Sequence, residues 1–261
     1  MDINNYILTT SNLSVGYSSK KVTNTIASNI NLTLKKGELI ALIGANGIGK
    51  STLLRTLIGI QPPLSGNVIL NGKNISDYNS ISFAQNLSIV LTEKLPPSNL
   101  TVFEIIALGR QPYTNWLGKL SENDISKINE AMELTQINSL ADKKHYEISD
   151  GQLQTVLVAR ALAQDTPLII LDEPTTHLDL LHKVSLFKLL KKLAKETNKC
   201  ILFSTHDIDM AIQISDEMII MTEEIVVQDQ PCNFISKGNF STLFKDEHIA
   251  FDSEKGKFIV Q

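Results

Sequence analysis

The stretch Leu39-Ile40-Ala41-Leu42-Ile43-Gly44-Ala45-Asn46-Gly47-Ile48-Gly49-Lys50-Ser51-Thr52 decides the fold of this chain of 261 residues. Five apolar residues enter it in the manner of a buried strand. Leu53, Leu54, Leu57 and Ile58 leave it with helical spacing. Between them runs the pattern G-x-x-x-x-G-K-S/T. Its glycines let the backbone curl around an anion with the N–H groups turned inward, and the following helix aims its partial positive end at the same point. Lys50 has the length to reach β- and γ-phosphates, and the Ser51 hydroxyl suits Mg²⁺. The candidate nucleotide-binding set is therefore Gly44, Ala45, Asn46, Gly47, Ile48, Gly49, Lys50, Ser51 and Thr52.

Upstream of this loop the pattern is β-like. Leu8, Leu13 and Val15 precede Gly16-Tyr17, and Ile30, Leu32 and Leu34 alternate with polar residues before a Lys36-Gly37 turn. Downstream, the helix is expected to end near Gly59, because Pro62-Pro63 cannot continue it. Val68-Ile69-Leu70 followed by Asn71-Gly72 reads as a strand entering a tight turn. From about 95 to 163 the character changes. Val102, Ile105, Ile106 and Leu108 predict one helix and Ile125 through Leu134 another, with an irregular stretch holding Pro112, Tyr113, Trp116 and Gly118 between them. Strands return at Leu168–Leu171, Ile201–Ser204 and Met218–Met221, separated by helices over Leu180–Lys195 and Asp207–Ile214. Alternation of this kind implies an α/β fold with a mostly parallel sheet covered on both faces, an antiparallel β-region at the N-terminus and an inserted helical subdomain. The expected division is one domain over residues 5–240 and a short extension over 241–261, where Phe258-Ile259-Val260 looks strand-like and no motif is interpretable.

Composition narrows the function. A net charge of −4 gives no general attraction to nucleic acid, so no nucleic-acid partner is expected. No apolar run reaches the eighteen or so residues that cross a bilayer, and Met1 to Thr10 lack a basic residue ahead of an apolar block, so no secretory signal is expected. Cys200 and Cys232 lack metal-ligand spacing and read as reduced thiols.

Leu168-Ile169-Ile170-Leu171-Asp172-Glu173 is an apolar strand ending in two carboxylates. Parallel sheets present ligands at the carboxyl ends of their strands. Asp172 is thus a candidate Mg²⁺ ligand together with Ser51, and Glu173 a candidate to orient or deprotonate an attacking water. His206, in Ser204-Thr205-His206-Asp207, follows another apolar strand and is a candidate γ-phosphate contact. Glu173, His206 and Lys50 form the candidate catalytic set. His145, His182 and His248 read as surface positions.

Ile148-Ser149-Asp150-Gly151-Gln152 opens an apolar helix running through Ala163, and Ser149 with Gln152 three residues on fits a capping box. This run resembles the signature motif of ATP-binding-cassette ATPases, written LSGGQ in that family. The order along the chain also matches: aromatic Tyr17, phosphate loop, helical insertion, signature, carboxylate strand, the Thr175-Thr176-His177-Leu178-Asp179 segment as D-loop, then His206. The resemblance spans roughly Leu8 to Met221. It implies that Tyr17 stacks on adenine and that ATP with Mg²⁺ is bound. It also implies that Ser149, Asp150, Gly151 and Gln152 of one subunit contact the ATP held by another. One phosphate loop and one signature per chain then imply a homodimer of cassettes. Small residues at the signature suit close approach of two backbones. Asp150 departs from the usual glycine, and its side chain is expected to turn away from phosphate.

A second departure falls at the Q-loop. Thr92 stands where the family carries a glutamine that touches Mg²⁺ or the attacking water and senses the membrane partner. Thr92 is too short for that, so Glu93 or a water is expected to bridge. Ala107-Leu108-Gly109-Arg110, the stretch to Trp116, the Ser-Asp-Gly-Gln signature and His177-Leu178-Asp179 are similar to ATPase subunits of bacterial importers for iron–siderophore complexes, haem and cobalamin. That resemblance implies a peripheral subunit on the cytoplasmic face of the inner membrane. Its helical insertion would receive a coupling helix of a membrane permease, and a substrate-binding protein would act indirectly. Tyr113 and Trp116 either line that groove or anchor their own loop. Rival readings are a soluble cassette ATPase of iron–sulfur cluster assembly, a DNA-repair or translation-factor cassette, and a nucleotide-binding regulator without hydrolysis. The last is disfavoured by the presence of Lys50, Asp172, Glu173 and His206.

Overall fold

The computed structural model describes residues 5–19, 22–91, 96, 98–243 and 249–260. Along the chain run β1 (Tyr6–Ser18), β2 (Thr23–Ile30), β3 (Thr33–Lys35), β4 (Leu39–Ile43), α1 (Lys50–Leu57), β5 (Ser65–Leu70), β6 (Lys73–Asn74), α2 (Ser80–Ala84) and β7 (Leu87–Val90). There follow α3 (Val102–Ala107), α4 (Glu122–Leu134), α5 (Asp150–Ala163), β8 (Leu168–Leu171), α6 (Leu180–Thr197), β9 (Cys200–Ser204), α7 (Ile208–Ile214) and β10 (Glu217–Met221). The last elements are β11 (Val226–Asp229), α8 (Pro231–Ser236), β12 (Ile249–Asp252) and β13 (Lys257–Val260).

The main sheet has the order β11-β10-β4-β9-β8-β7. Its five strands from β10 to β7 are parallel, and β11 adds an antiparallel edge. Every residue of β4 is buried. The reason is that its two faces serve two cores. Ile40 and Leu42 pack with α1 and the N-terminal antiparallel sheet (β2-β1-β5-β6, with β3 also on β1), whereas Leu39, Ala41 and Ile43 pack with the cluster that holds α3, α4, α5 and α6. A strand buried on both faces must be apolar throughout, which is what the run Leu39 to Ile43 supplies. The β5–β6 hairpin turns at Asn71 and Gly72, both at left-handed φ (47° and 79°), the geometry that selects Asn-Gly.

Between β7 and β8 the chain is helical. Here one expectation fails: α3 ends at Ala107, and Leu108, expected on its apolar face, is 40% exposed and opens a 3-10 turn over Leu108–Tyr113. Pro112 within that turn has no N–H for an α-helical ladder. Gly109 also lies so close to the Arg160 carbonyl that a Cβ would sit 2.3 Å from it. Arg110 is buried here. Its Nε donates to Asp124 at 2.9 Å, its Nη1 donates to the Ala163 carbonyl at 2.8 Å, and its guanidinium lies over the Tyr113 ring. Tyr113 therefore anchors its own loop, whereas the Trp116 side chain is 91% exposed.

Past β10, Phe240 stacks on Phe251 and meets Phe234 and Phe258 edge-on, so the β12–β13 hairpin is held by an aromatic cluster. Cys200 is buried in β9 and Cys232 exposed on α8, both unpaired. Among the described residues no helix is long and apolar enough to cross a membrane.

Candidate nucleotide-binding and hydrolysis site

Parallel pairing lines up the strand ends. Leu42 pairs with Ser204 and Leu171 with Phe203, so the chain leaves β4, β9 and β8 at one edge of the sheet. That edge carries the loop 44–52 after β4, His206 after β9, and Asp172-Glu173 after β8.

The loop is built around its glycines. Gly47 and Gly49 have φ of 75° and 110°, a region closed to ordinary side chains. A Cβ on Gly49 would lie 2.3 Å from Ile26 Cγ2. No side chain caps α1 at Gly49, so the first N–H groups of α1 are left for an outside acceptor. Lys50 is 5% exposed, and its Nζ donates to the Gly44 and Ala45 carbonyls at 2.9 and 3.2 Å. Burial pushes its pKa below the ordinary lysine value, and the Glu173 and Asp172 carboxylates pull it back up. A buried ammonium beside free helix N–H groups is an anion site, and phosphate fits it. Tyr17 reaches the same helix, its hydroxyl 3.0 Å from Thr52 Oγ1, with the ring half exposed.

Opposite the loop, Ser204 ties the carboxylates together. Its hydroxyl donates to Asp172 Oδ1 at 2.6 Å and accepts the Glu173 backbone N–H at 2.8 Å. Glu173 adopts a left-handed φ of 48°. Such strain in a non-glycine residue persists only where neighbours hold it, and here His206 Nε2 lies 2.6 Å from Glu173 Oε1 while the Thr176 hydroxyl donates to Oε2 at 3.3 Å. His206 thus faces Glu173 at the same sheet edge. The Ser51 hydroxyl and the Asp172 carboxylate are hard oxygen donors, the set Mg²⁺ takes when water and phosphate oxygens complete its shell.

The turn Ser149–Gln152 sits elsewhere. Ser149 Oγ accepts the Gln152 N–H at 3.2 Å, and Gln152 Oε1 accepts the Ser149 N–H at 3.0 Å, closing the capping box. The Ser149 N–H is therefore taken within the turn, and the open donors of this turn are those of Asp150 and Gly151. Asp150 is exposed. Among the described residues, no hydrogen bond joins 149–152 to 44–52, and Gly151 packs instead on His182 of α6.

The family model described as ABC transporter matches residues 27–176, more than half of the chain. The chain belongs to the ABC transporter family. As a member it is an ATP-binding, ATP-hydrolysing cassette. An ABC transporter ATP-binding protein of Methanocaldococcus jannaschii is 40% identical over 253 residues, covering 97% of this chain and 86% of the relative. The achromobactin transport ATP-binding protein of Dickeya dadantii is 37% identical over 238 residues, covering 91% and 87%. The solved structure of an ABC transporter described as metal-chelate type, in an inward-facing conformation, superposes with a TM-score of 0.79 at 28% identity, covering 98% of this chain and 96% of that one.

Several parts of this cassette were missed at the level of sequence. Ser204 had no motif of its own, and only its place at the end of β9 pointed to it. Thr175 and Lys183 both bind Asp207, at 2.8 Å each, and so fasten the segment after Glu173 to the start of α7. Asp179 accepts the His182 N–H at 2.9 Å and meets its ring at 2.7 Å. These contacts hold its carboxyl below the ordinary range. His182 is a surface residue as expected, half exposed, and is in contact with Asp179 and Gly151. His145, also expected at the surface, is instead partly buried beside Ser98 and Tyr146. Thr92, Glu93 and His248 lie outside the described residues. β7 ends two residues before Thr92.

Proposed function

We propose that this cassette is the ATP-hydrolysing subunit of an importer for iron chelates of the siderophore kind, working as a pair of identical copies beneath a membrane permease at the cytoplasmic face. The observation that carries the pairing is the separation of the two half-sites within one chain. Lys50, Asp172, Glu173 and His206 gather at one sheet edge, while among the described residues no hydrogen bond joins the turn Ser149–Gln152, with its open Asp150 and Gly151 N–H groups, to the loop 44–52 of the same chain. A second copy in head-to-tail orientation brings such a turn to each loop. Leu180 and Leu181, 65% and 78% exposed beside Asp179, suit a surface that another copy covers.

In that complex the loop N–H groups and Lys50 bind the phosphates, and Tyr17 stacks on adenine. Mg²⁺, held by Ser51 and Asp172, would offset the charge on the β- and γ-oxygens. Glu173 accepts the proton of the attacking water, and His206 orients the Glu173 carboxylate. The direction of transport and the iron-chelate cargo are supported by the achromobactin relative and the metal-chelate type transporter.

The test is capture of the tagged chain from detergent-solubilised membranes of its own organism, followed by reconstitution with the captured permease. Co-purification of a polytopic permease, with ATPase stimulated by a ferric-siderophore-loaded binding protein, is the expected result. Capture of soluble iron–sulfur assembly proteins without a permease overturns it.

A further inference from the structure

The first turns of α5 and α6 approach each other at the His182 side chain. His182 is bound on one side by Asp179, which holds its backbone N–H at 2.9 Å and its Nδ1 at 2.7 Å. The opposite edge of the ring fills the space where a side chain at 151 would stand. A Cβ built on Gly151 lies 2.4 Å from His182 Cδ2 and 3.1 Å from Nε2. Gly151 does not have a positive φ, so its backbone alone does not demand glycine. The ring occupies that space, and a side chain at 151 would have to displace it.

The other end of this contact leads to the chemistry. Between Glu173 and Asp179 the chain is tightly folded. Thr176 N–H donates to the Glu173 carbonyl, Leu178 N–H to the Thr175 carbonyl, and His177 is held at a left-handed φ of 69°. Thr176 also touches the Glu173 carboxylate, and Asp179 closes the segment as the cap of α6. The tightly folded segment from Glu173 thus leads along the chain to Asp179, and contacts continue from Asp179 through His182 to Gly151.

We propose that His182 is a positioning residue for ATP hydrolysis, setting the Gly151 N–H relative to the Glu173 segment of the same chain. Each chain offers Gly151 to the partner's ATP and Glu173 to its own. His182 therefore ties the two ATP sites of the pair to each other. This role rests on the pairing of two cassettes proposed for the function.

The test compares the parent, His182→Ala, Gly151→Ala and the double variant G151A/H182A. Readouts are kcat, KM and the Hill coefficient for ATP, with nucleotide affinity of the isolated chain as a fold check. For His182→Ala, kcat is expected to fall about tenfold and the Hill coefficient to drop toward about one, with nucleotide affinity unchanged. Gly151→Ala displaces the ring and is expected to lose at least as much. In the double variant the added methyl meets no ring, so activity is expected to return to the His182→Ala level. Parental kcat and cooperativity in His182→Ala overturns the proposal. So does a double variant as inactive as Gly151→Ala, because glycine would then be needed by the nucleotide itself. Failure of the pairing reading is seen separately, as an ATP-loaded Glu173→Gln protein that stays single.

Discussion

At the residue scale, Glu173 carries the sharpest expectation. Its carboxylate is aimed by His206 and Thr176, and its backbone is held strained by Ser204. Glu173→Gln keeps size and polarity but removes the basic oxygen. Phosphate release is expected to fall by about 10²–10⁴-fold, the usual worth of a general base, with fluorescent-nucleotide affinity retained. Parental turnover would remove Glu173 from the role of base. At this scale the sequence was legible where residues that act together are neighbours in the chain. Gly44 to Thr52 is one continuous string, and Asp172 and Glu173 end one strand. His182 was not legible, because its partner Gly151 stands 31 residues earlier and only the local approach of the first turns of α5 and α6 joins them.

Elements tell a similar story with a different limit. The unbroken apolar run Leu39–Ile43 identified a buried strand, and Ser149 with Gln152 identified a helix start, since both signals are local. The end of α3 was misplaced because Leu108 fits a helical period, while Gly109 packs against the Arg160 carbonyl of α5, a contact periodicity does not encode, and Pro112 lacks the N–H to continue the ladder. The Arg110–Asp124 pair that secures this region has side chains only 3% and 4% exposed. Breaking such a pair leaves a buried charge, so Arg110→Ala is expected to destabilise by about 3–5 kcal/mol in urea unfolding. Replacing both partners, as Arg110→Met with Asp124→Leu, is expected to recover only the part due to the lone buried charge, because Asp124 also closes the Ser121 capping box of α4. If Arg110→Ala unfolds at the parental midpoint, the pair does not secure the helical segment.

For the whole molecule, the division of labour between two cores follows from β4, whose faces feed one each. Sequence alternation indicated a parallel sheet, but not that β4 lies between β9 and β10, which is what sets Gly44 beside the ends of β9 and β8. The functional unit is larger still. If each ATP needs donors from two copies, ATPase activity per chain rises with protein concentration before reaching a plateau. Glu173→Gln with ATP is then expected to elute at twice the 28.9 kDa of the chain. Constant specific activity down to nanomolar protein, with that variant eluting as a single chain, would contradict the pairing.

The two thiols differ in accessibility, Cys200 sealed inside the sheet and Cys232 open on α8. A thiol-reactive spin label therefore attaches at one place per copy of the unaltered protein. In a symmetric assembly the two labels give a single distance, and its shortening on nucleotide addition would follow closure directly, with no engineered cysteine and no background to subtract.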